Sequence, residues 1–237
     1  MKVKNITLVG TSHIAEQSLL EVSNAFSKVK PDIVALELDR QRLFALVHKV
    51  KTSVSPTIMF KIGVSGYIFL LIGRYMQEKL GKVVRIQPGS DMLAAYNLAK
   101  ENHKQVALVD QDIAITLKRL SAALTWKIKF RFLKDLLTGV MGKKISVKGT
   151  TLSAEQMQFD LKSIPEKDVI KQMIGFVKQR YPPIYRVLVH ERNVHMARNL
   201  IRLTEKFPEK KILAVVGAGH EDGMIKIIKS VSTGKMV

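Results

Sequence analysis

Residues 6–36 read ITLVGTSHIAEQSLLEVSNAFSKVKPDIVAL, and this stretch decides the fold. Ile6 to Val9 and Ile33 to Leu36 are short, continuously apolar runs rich in Ile and Val, as strands buried on both faces require. Between them Leu19, Val22, Phe26 and Val29 recur at helical spacing on one face. Strand, one-faced helix and strand make a βαβ crossover, and the two strands are therefore expected to be parallel.

Outward from that unit the pattern continues. Leu43, Leu46, Val47 and Val50 form a second helical face, and Val83 to Ile86, Val106 to Val109 and Ile212 to Val216 are three further strand candidates. Pro88-Gly-Ser-Asp91 has the composition of a turn and helix start, with Asp91 near the positive end of the helix dipole. From Ile113 to Lys210 no comparable strand run occurs and helical spacing dominates. Leu117, Leu120, Leu124 and Ile128 lie beside a second stripe of Trp126, Phe130, Leu133 and Leu137. Such width suits a helix packed on two sides or lying on a membrane surface. A late helix is expected from Ile184 to about Thr204. The fold class predicted is α/β: a mainly parallel sheet flanked by helices, with a helical cap inserted before the last strand. Residues 1–112 and 211–237 would form the α/β core of a single domain, and 113–210 the insertion.

Composition narrows the chemistry. The 237 residues, 46% of them hydrophobic, suffice for a substantial core. With no cysteine, disulfides and thiolate metal sites are excluded, so any metal must be held by His or carboxylate. Thirty-nine basic against twenty acidic residues give a net charge of +19, which attracts anionic partners without choosing among them. Nucleic acid is disfavoured because no recognition motif or aromatic stacking platform accompanies the charge. The N-terminal residues have no long apolar region or cleavage site, predicting no signal peptide and a cytoplasmic protein, with peripheral membrane attachment as the variant. The most apolar window, Val54 to Gly73, is interrupted by Lys61 and three glycines and reads as a buried helix.

Two Gly-x-x-His tetrapeptides mark the candidate site: Gly10-Thr-Ser-His13 after the first strand and Gly217-Ala-Gly-His220 after the last. Histidines just past sharp turns at the carboxyl ends of parallel strands face the crevice where such sheets bind ligands. Two converging imidazoles would ligate Mn, Co or Zn. Glu37 ends the second strand, followed by Asp39, Arg40 and Arg42, and Asp110 and Asp112 follow the fourth. A carboxylate there completes a metal site or activates water. The plainer alternatives are that Glu37 pairs with an arginine and that Asp110 and Asp112 cap a helix. On the late helix Glu191 and His195 share a face. His190 and His195 do not, being five residues and thus about 140° apart, so a zincin site is excluded. His195, His48 and His103 are read as structural or surface residues.

The strings Val9-Gly-Thr-Ser-His13, Lys30-Pro-Asp-Ile-Val-Ala-Leu-Glu-Leu-Asp39, Pro88-Gly-Ser-Asp-Met92, Val109-Asp-Gln-Asp-Ile113, Glu191-Arg192 with Met196-Ala197, and Val215-Val-Gly-Ala-Gly-His220 occur in the order found in the TraB, or pheromone-shutdown, family. The chain resembles that family over nearly its whole length. Through the family's distant similarity to Tiki metalloproteases and to erythromycin-esterase-like and ChaN-like proteins, the resemblance implies active-site roles for His13, His220, Glu37, Glu191 and Arg192. It also implies a peptide substrate, with an ester or phosphoester as alternative. Here the family's usual Asp-Arg-Asp is Asp110-Gln111-Asp112, and the chain ends in a charged stretch rather than a hydrophobic segment. The expected function is a metal-dependent hydrolase in which His13, His220 and Glu37 hold the metal, Glu191 is base or ligand, and Arg192, Arg40 or Arg42 stabilises an oxyanion. The competing expectation is a non-catalytic protein that sequesters a peptide, lipid or small ligand, in one version at an anionic membrane surface.

Overall fold

A computed structural model describes residues 2–3, 5–11, 16–50, 57–68, 70–71, 89–140, 145–147, 150–152 and 167–232. Four strands form the parallel sheet: β2 (Ile6–Thr11), β3 (Ile33–Leu36), β4 (Gln105–Leu108) and β7 (Ile212–Gly217). They correspond to four of the five apolar runs; the fifth, Val83 to Ile86, lies outside the described residues. A short edge strand, β1 (Lys2–Val3), joins antiparallel to β2, and the order is β1-β2-β7-β3-β4. The last strand in sequence is thus central, which is why every residue of β7 is buried.

Alternation along the strands divides the core. On one face Ile6, Leu8, Ile33, Ala35, Ile212, Ala214 and Val216 meet Met196, Ala197 and Leu200 of helix α7 (Glu191–Lys206) and Met224, Ile227 and Ile228 of α8 (Ala218–Ser232). On the other, Val34, Leu36, Leu213 and Val215 meet Val22 and Phe26 of α1 (Glu16–Val29) and Met92, Ala95 and Ala99 of α3 (Ser90–Glu101). The crossover face predicted for α1 is the one packed. In α2 (Arg40–Val47), Leu43 and Leu46 pack on that core, whereas Val47 and Val50 are exposed. Gly89 starts α3 with φ 84°, a left-handed conformation suited to glycine. The residues just beyond α1, α2 and α3 are also left-handed but are not glycine: Lys30, Lys49 and His103, with φ 48°, 51° and 54°.

The contacts divide the chain into two compact units. The first comprises Met1–Ser53, Ile86–Ile113 and Val189–Val237, and contains the sheet; the second comprises Val54–Arg85 and Ala114–Leu188. Compared with the expected division at 112/113 and 210/211, α7 belongs with the sheet and residues 54–85 belong with the second unit. The reason for the first difference is the burial of Met196, Ala197 and Leu200 against the strands.

The second unit is mainly helical. Leu117, Leu120 and Leu124 are buried, but the expected continuous helix is two, α4 (Ile113–Ala123) and α5 (Trp126–Val140). Between them the Thr125 carbonyl accepts from the Ile128 and Lys129 amides and starts the new helix. Contrary to the expectation of no strands here, Ile145–Val147 (β5) and Thr150–Leu152 (β6) form an antiparallel hairpin; three-residue strands carry too little periodicity to read. Helix α6 (Lys167–Arg180) leads to a short helix Pro182–Tyr185 and a π-helical turn Arg186–His190. Leu120, Leu124, Phe176, Tyr181, Ile184 and Val187 make this unit's core.

The helix at residues 58–68 differs from the buried helix expected. Ile62 and Gly66 are buried, but Phe60, Val64 and Ile68 are 86%, 60% and 49% exposed. The glycines cause this: a Cβ on Gly66 would overlap the Leu117 carbonyl and one on Gly63 the Ser121 hydroxyl, so the small face lies on α4 and the large apolar face points outward. Among the described residues no helix is long and apolar enough to cross a membrane.

Candidate functional site

Parallel register sets the site. Gly10 pairs with Val216 and Thr11 with Gly217, so β2 and β7 end at the same sheet edge. Leu36 pairs with Val215 on the other side of β7, which brings Glu37 level with the Gly217 turn. The Glu37 amide donates to the Val215 carbonyl at 3.1 Å, and Glu37 Oε2 accepts from the Gly217 amide at 2.7 Å. The carboxylate therefore sits where α8 begins, beside the positive end of its dipole.

The other oxygen of Glu37 faces a guanidinium. Arg192, from the first turn of α7, donates through Nη2 to Glu37 Oε1 and Asp110 Oδ2, each at 2.5 Å, and through Nε to Asp110 Oδ1 at 3.2 Å. Its Nη1 lies 3.0 Å from His220 Nε2. Arg42 joins from α2, holding Asp110 Oδ2 at 2.5 Å and Asp39 Oδ2 at 2.8 Å. Burial by itself would raise the Asp110 pKa, but the hydrogen bonds and charge of Arg192, then the charge of Arg42, hold it below the ordinary carboxylate value against repulsion from Glu37. Arg192 is raised: burial opposes its charge, and Glu37 and Asp110 more than restore it.

These contacts fix the state of His220. A guanidinium can only donate, so Nε2 accepts from Arg192 and carries no proton. The proton is then on Nδ1, which donates to Asn193 Oδ1 at 2.6 Å. Glu37 Oε1 stands 3.3 Å from Nε2, two acceptor atoms close together with Arg192 in contact with both. Glu37, Asp39 and Asp110 thus alternate with Arg42 and Arg192 in one ion-pair cluster.

The structure thus brings together Glu37, Arg42, Asp110, Arg192 and His220 at the edge bearing Gly10 and Gly217. Arg40 is exposed and lines a depression with Gln41, Phe44, Ala45 and Val50. Asp112 directly precedes α4, and Glu191 opens α7. His13 lies outside the described residues. His195 is held by Asn199, whose Nδ2 is 3.0 Å from its Nε2, and burial lowers its pKa. Sequence reading omitted Asn193, only 2% exposed, and Glu221, whose carboxylate covers Gly10 so closely that a Cβ there would overlap it. One signal for Asn193 was available: Gly223, inside α8, leaves room for the Asn193 amide. Thr11 was missed as well; its hydroxyl donates to buried Asp91, which is more than a residue near a helix dipole.

The sequence model of the TraB/PrgY/gumN family matches residues 2–232. The chain belongs to this family. Among its TraB/PrgY/gumN relatives, a Methanocaldococcus jannaschii protein described as uncharacterized is 33% identical over 97% of this chain and 55% of its own length. Human and bovine TraB domain-containing proteins are 26% and 25% identical, each over 93% of this chain and 62% of the relative. The chain spans little more than half the length of these curated family members.

Proposed function

We propose that this TraB-family chain is a metal-dependent hydrolase acting on peptides, with its site at the carboxyl ends of β2, β3 and β7. The observation that carries the reading is the pair of acceptor atoms, His220 Nε2 and Glu37 Oε1, 3.3 Å apart. In this structure the cation they share is the Arg192 guanidinium, through Nη1 and Nη2, and a divalent metal would take its place between them. The concentration of Glu37, Asp39 and Asp110 at this edge, within a chain of charge +19, also favours a cation over an anionic ligand. His13, two residues beyond the strand position paired with Gly217, is the third donor in this reading. Nitrogen and oxygen donors suit Mn, Co or Zn. Among the described residues no group of three His, Asp or Glu is arranged to hold a metal, so the reading depends on His13.

A bound metal would supply Lewis acidity that lowers the pKa of water and polarises a carbonyl. The chain's own residues would do the rest. Asn193 keeps the His220 lone pair directed at the site. Glu191 takes a proton from the attacking water, and Arg192 donates to the developing oxyanion after exchanging its carboxylate partners. Arg42 stays with Asp39 and Asp110, so we assign it a positioning role. The peptide substrate rests on the resemblance to Tiki metalloproteases.

One observation favours the second reading, a non-catalytic binding protein: Arg192 already spans Glu37, Asp110 and His220 as a closed ion-pair lock. Calorimetry with Mn, Co and Zn, followed by peptide-library digestion, separates the two. The hydrolase reading expects binding that weakens in His13→Ala and His220→Ala, and turnover that falls about 10²- to 10⁴-fold in Glu191→Gln with metal affinity kept. No binding and no cleavage by the wild type would transfer the assignment to the binding protein.

A further inference from the structure

The second unit carries apolar surface that its own core does not use. Phe60, Val64, Ile68 and Leu71 are exposed by 86%, 60%, 49% and 43%, and their spacing of four, four and three residues aligns them along one helical face. On α5, Trp126 and Phe130 are exposed by 74% and 68% and also lie four residues apart. Leu133 and Leu137, which continue that stripe in the sequence, have side chains outside the described set. Single exposed hydrophobic residues are ordinary, but aligned aromatic and aliphatic side chains on two helices of one unit mark an interaction surface.

The surrounding charge identifies the partner. Helix α5 contains Lys127, Lys129, Arg131 and Lys134 against one acid, Asp135. That acid is buried and engaged by Arg180 and Tyr181, so it does not offset the cations outside. Between Val54 and Gly73 the charged residue is Lys61. Lys129 Nζ stands 4.7 Å from the centre of the Trp126 ring, pairing cation and aromatic side chain as an interfacial anchor does. Exposed aromatic residues interleaved with lysine and arginine, where among the described residues no helix is long and apolar enough to cross a membrane, are the features of a helix lying in an anionic membrane interface.

We propose that the second unit docks on an anionic bilayer surface, with Trp126, Phe130 and the Phe60/Val64/Ile68/Leu71 stripe entering the headgroup region and the lysines and arginines meeting lipid phosphates. The inference is independent of the hydrolase reading, since it uses no residue of the sheet-edge cluster.

Trp126 is the sole tryptophan of the chain and an internal reporter. The whole chain is titrated with vesicles of phosphatidylcholine alone and of phosphatidylcholine and phosphatidylglycerol in equal parts. The expected result is a blue shift of Trp126 emission and quenching by brominated acyl chains with the anionic vesicles, weakened by added salt. Phe60→Trp in a Trp126→Phe background should report the same from the other stripe. Lys127→Gln and Lys129→Gln should each lower partitioning by roughly fivefold, and Phe60→Ser with Val64→Ser by about tenfold or more. All four positions are at least partly exposed, so circular dichroism should be unchanged. Equal emission with both vesicle types would overturn the proposal. So would a blue shift that rises with protein concentration in lipid-free buffer, which would assign the surface to a second copy of the chain.

Discussion

Two arginine–carboxylate clusters use the same geometry for different ends. In the second unit Arg180 donates to both oxygens of Asp135, at 2.8 and 2.7 Å, and the neighbouring Tyr181 hydroxyl adds a third bond at 2.5 Å. One cation meets one anion, and the result ties α5 to the end of α6. In the first unit Arg192 meets two carboxylates and a histidine lone pair, with Asp39 and Arg42 behind them. Bidentate pairing is thus no mark of function. Two carboxylates and a histidine on one guanidinium distinguish the sheet-edge cluster.

The largest effect that could break this contrast comes from removing each arginine. Arg192→Met takes this guanidinium from buried Glu37 and leaves Asp110 with Arg42, and should cost about 3–5 kcal/mol. Arg180 has a side chain 29% exposed, and water can solvate Asp135 in its absence, so Arg180→Met should cost about 1–2 kcal/mol. Equilibrium unfolding in urea measures both, and equal losses would erase the distinction.

Dependence on pH sharpens it. Asp110 and Asp135 are both held below the usual carboxylate pKa, Asp135 chiefly by its Arg180 hydrogen bond, opposed by burial and aided by Tyr181. A depressed carboxylate contributes stability that is present above its unfolded pKa of about 4 and is lost as pH falls through its folded value. The deficit of Asp110→Asn, about 2 kcal/mol near neutrality, should therefore shrink as the medium is acidified below about pH 4. Tyr181 behaves in the opposite sense: burial first and Asp135 second raise its pKa, so its contribution is complete below the unfolded value of about 10 and fades as pH rises further. Tyr181→Phe should remove an alkaline loss of stability that the sheet-edge cluster does not share. Unfolding curves at acid, neutral and alkaline pH test both.

The smallest expected effects concern two glycines. A Cβ at Gly223 meets the Asn193 amide, which is buried and bonded to His220, so Gly223→Ala should cost about 1–3 kcal/mol. At Gly10 the nearest obstacle is the carboxylate of half-buried Glu221, which can turn aside, with the Glu221 Cβ at 3.1 Å behind it, and Gly10→Ala should cost less. Thermal denaturation of the pair decides the order, and the His220 imidazole resonances should shift only in Gly223→Ala.

The fold was legible where burial is symmetric. Ile33 to Leu36 and Ile212 to Val216 are apolar at every position because both faces of their strands are covered, and such runs can be read one residue at a time. The two-residue β1 and the three-residue hairpin strands have no such redundancy. The break between α4 and α5 hides in a continuous apolar stripe because Thr125 interrupts the backbone without interrupting the spacing. At the site, Glu37 and His220 were readable from their place after strands and Arg192 from the family resemblance, but which of them pair, and the part of Asn193, were not. Arg192 and Asn193 reach them from α7, over 150 residues from Glu37 in sequence, and a single chain shows no trace of that pairing except the glycine at 223.

The three helix ends at Lys30, Lys49 and His103 bear on a different property, the margin available for thermal hardening. A side chain in the left-handed region costs about 1–2 kcal/mol relative to glycine, offset in part because glycine also makes the unfolded chain freer. None of the three belongs to the sheet-edge cluster, and the strain at each is local. A variant carrying glycine at all three would melt at higher temperature with every residue of the sheet-edge cluster unchanged, giving a hardened background in which the costly Arg192 and Gly223 substitutions can be studied while the protein is still folded.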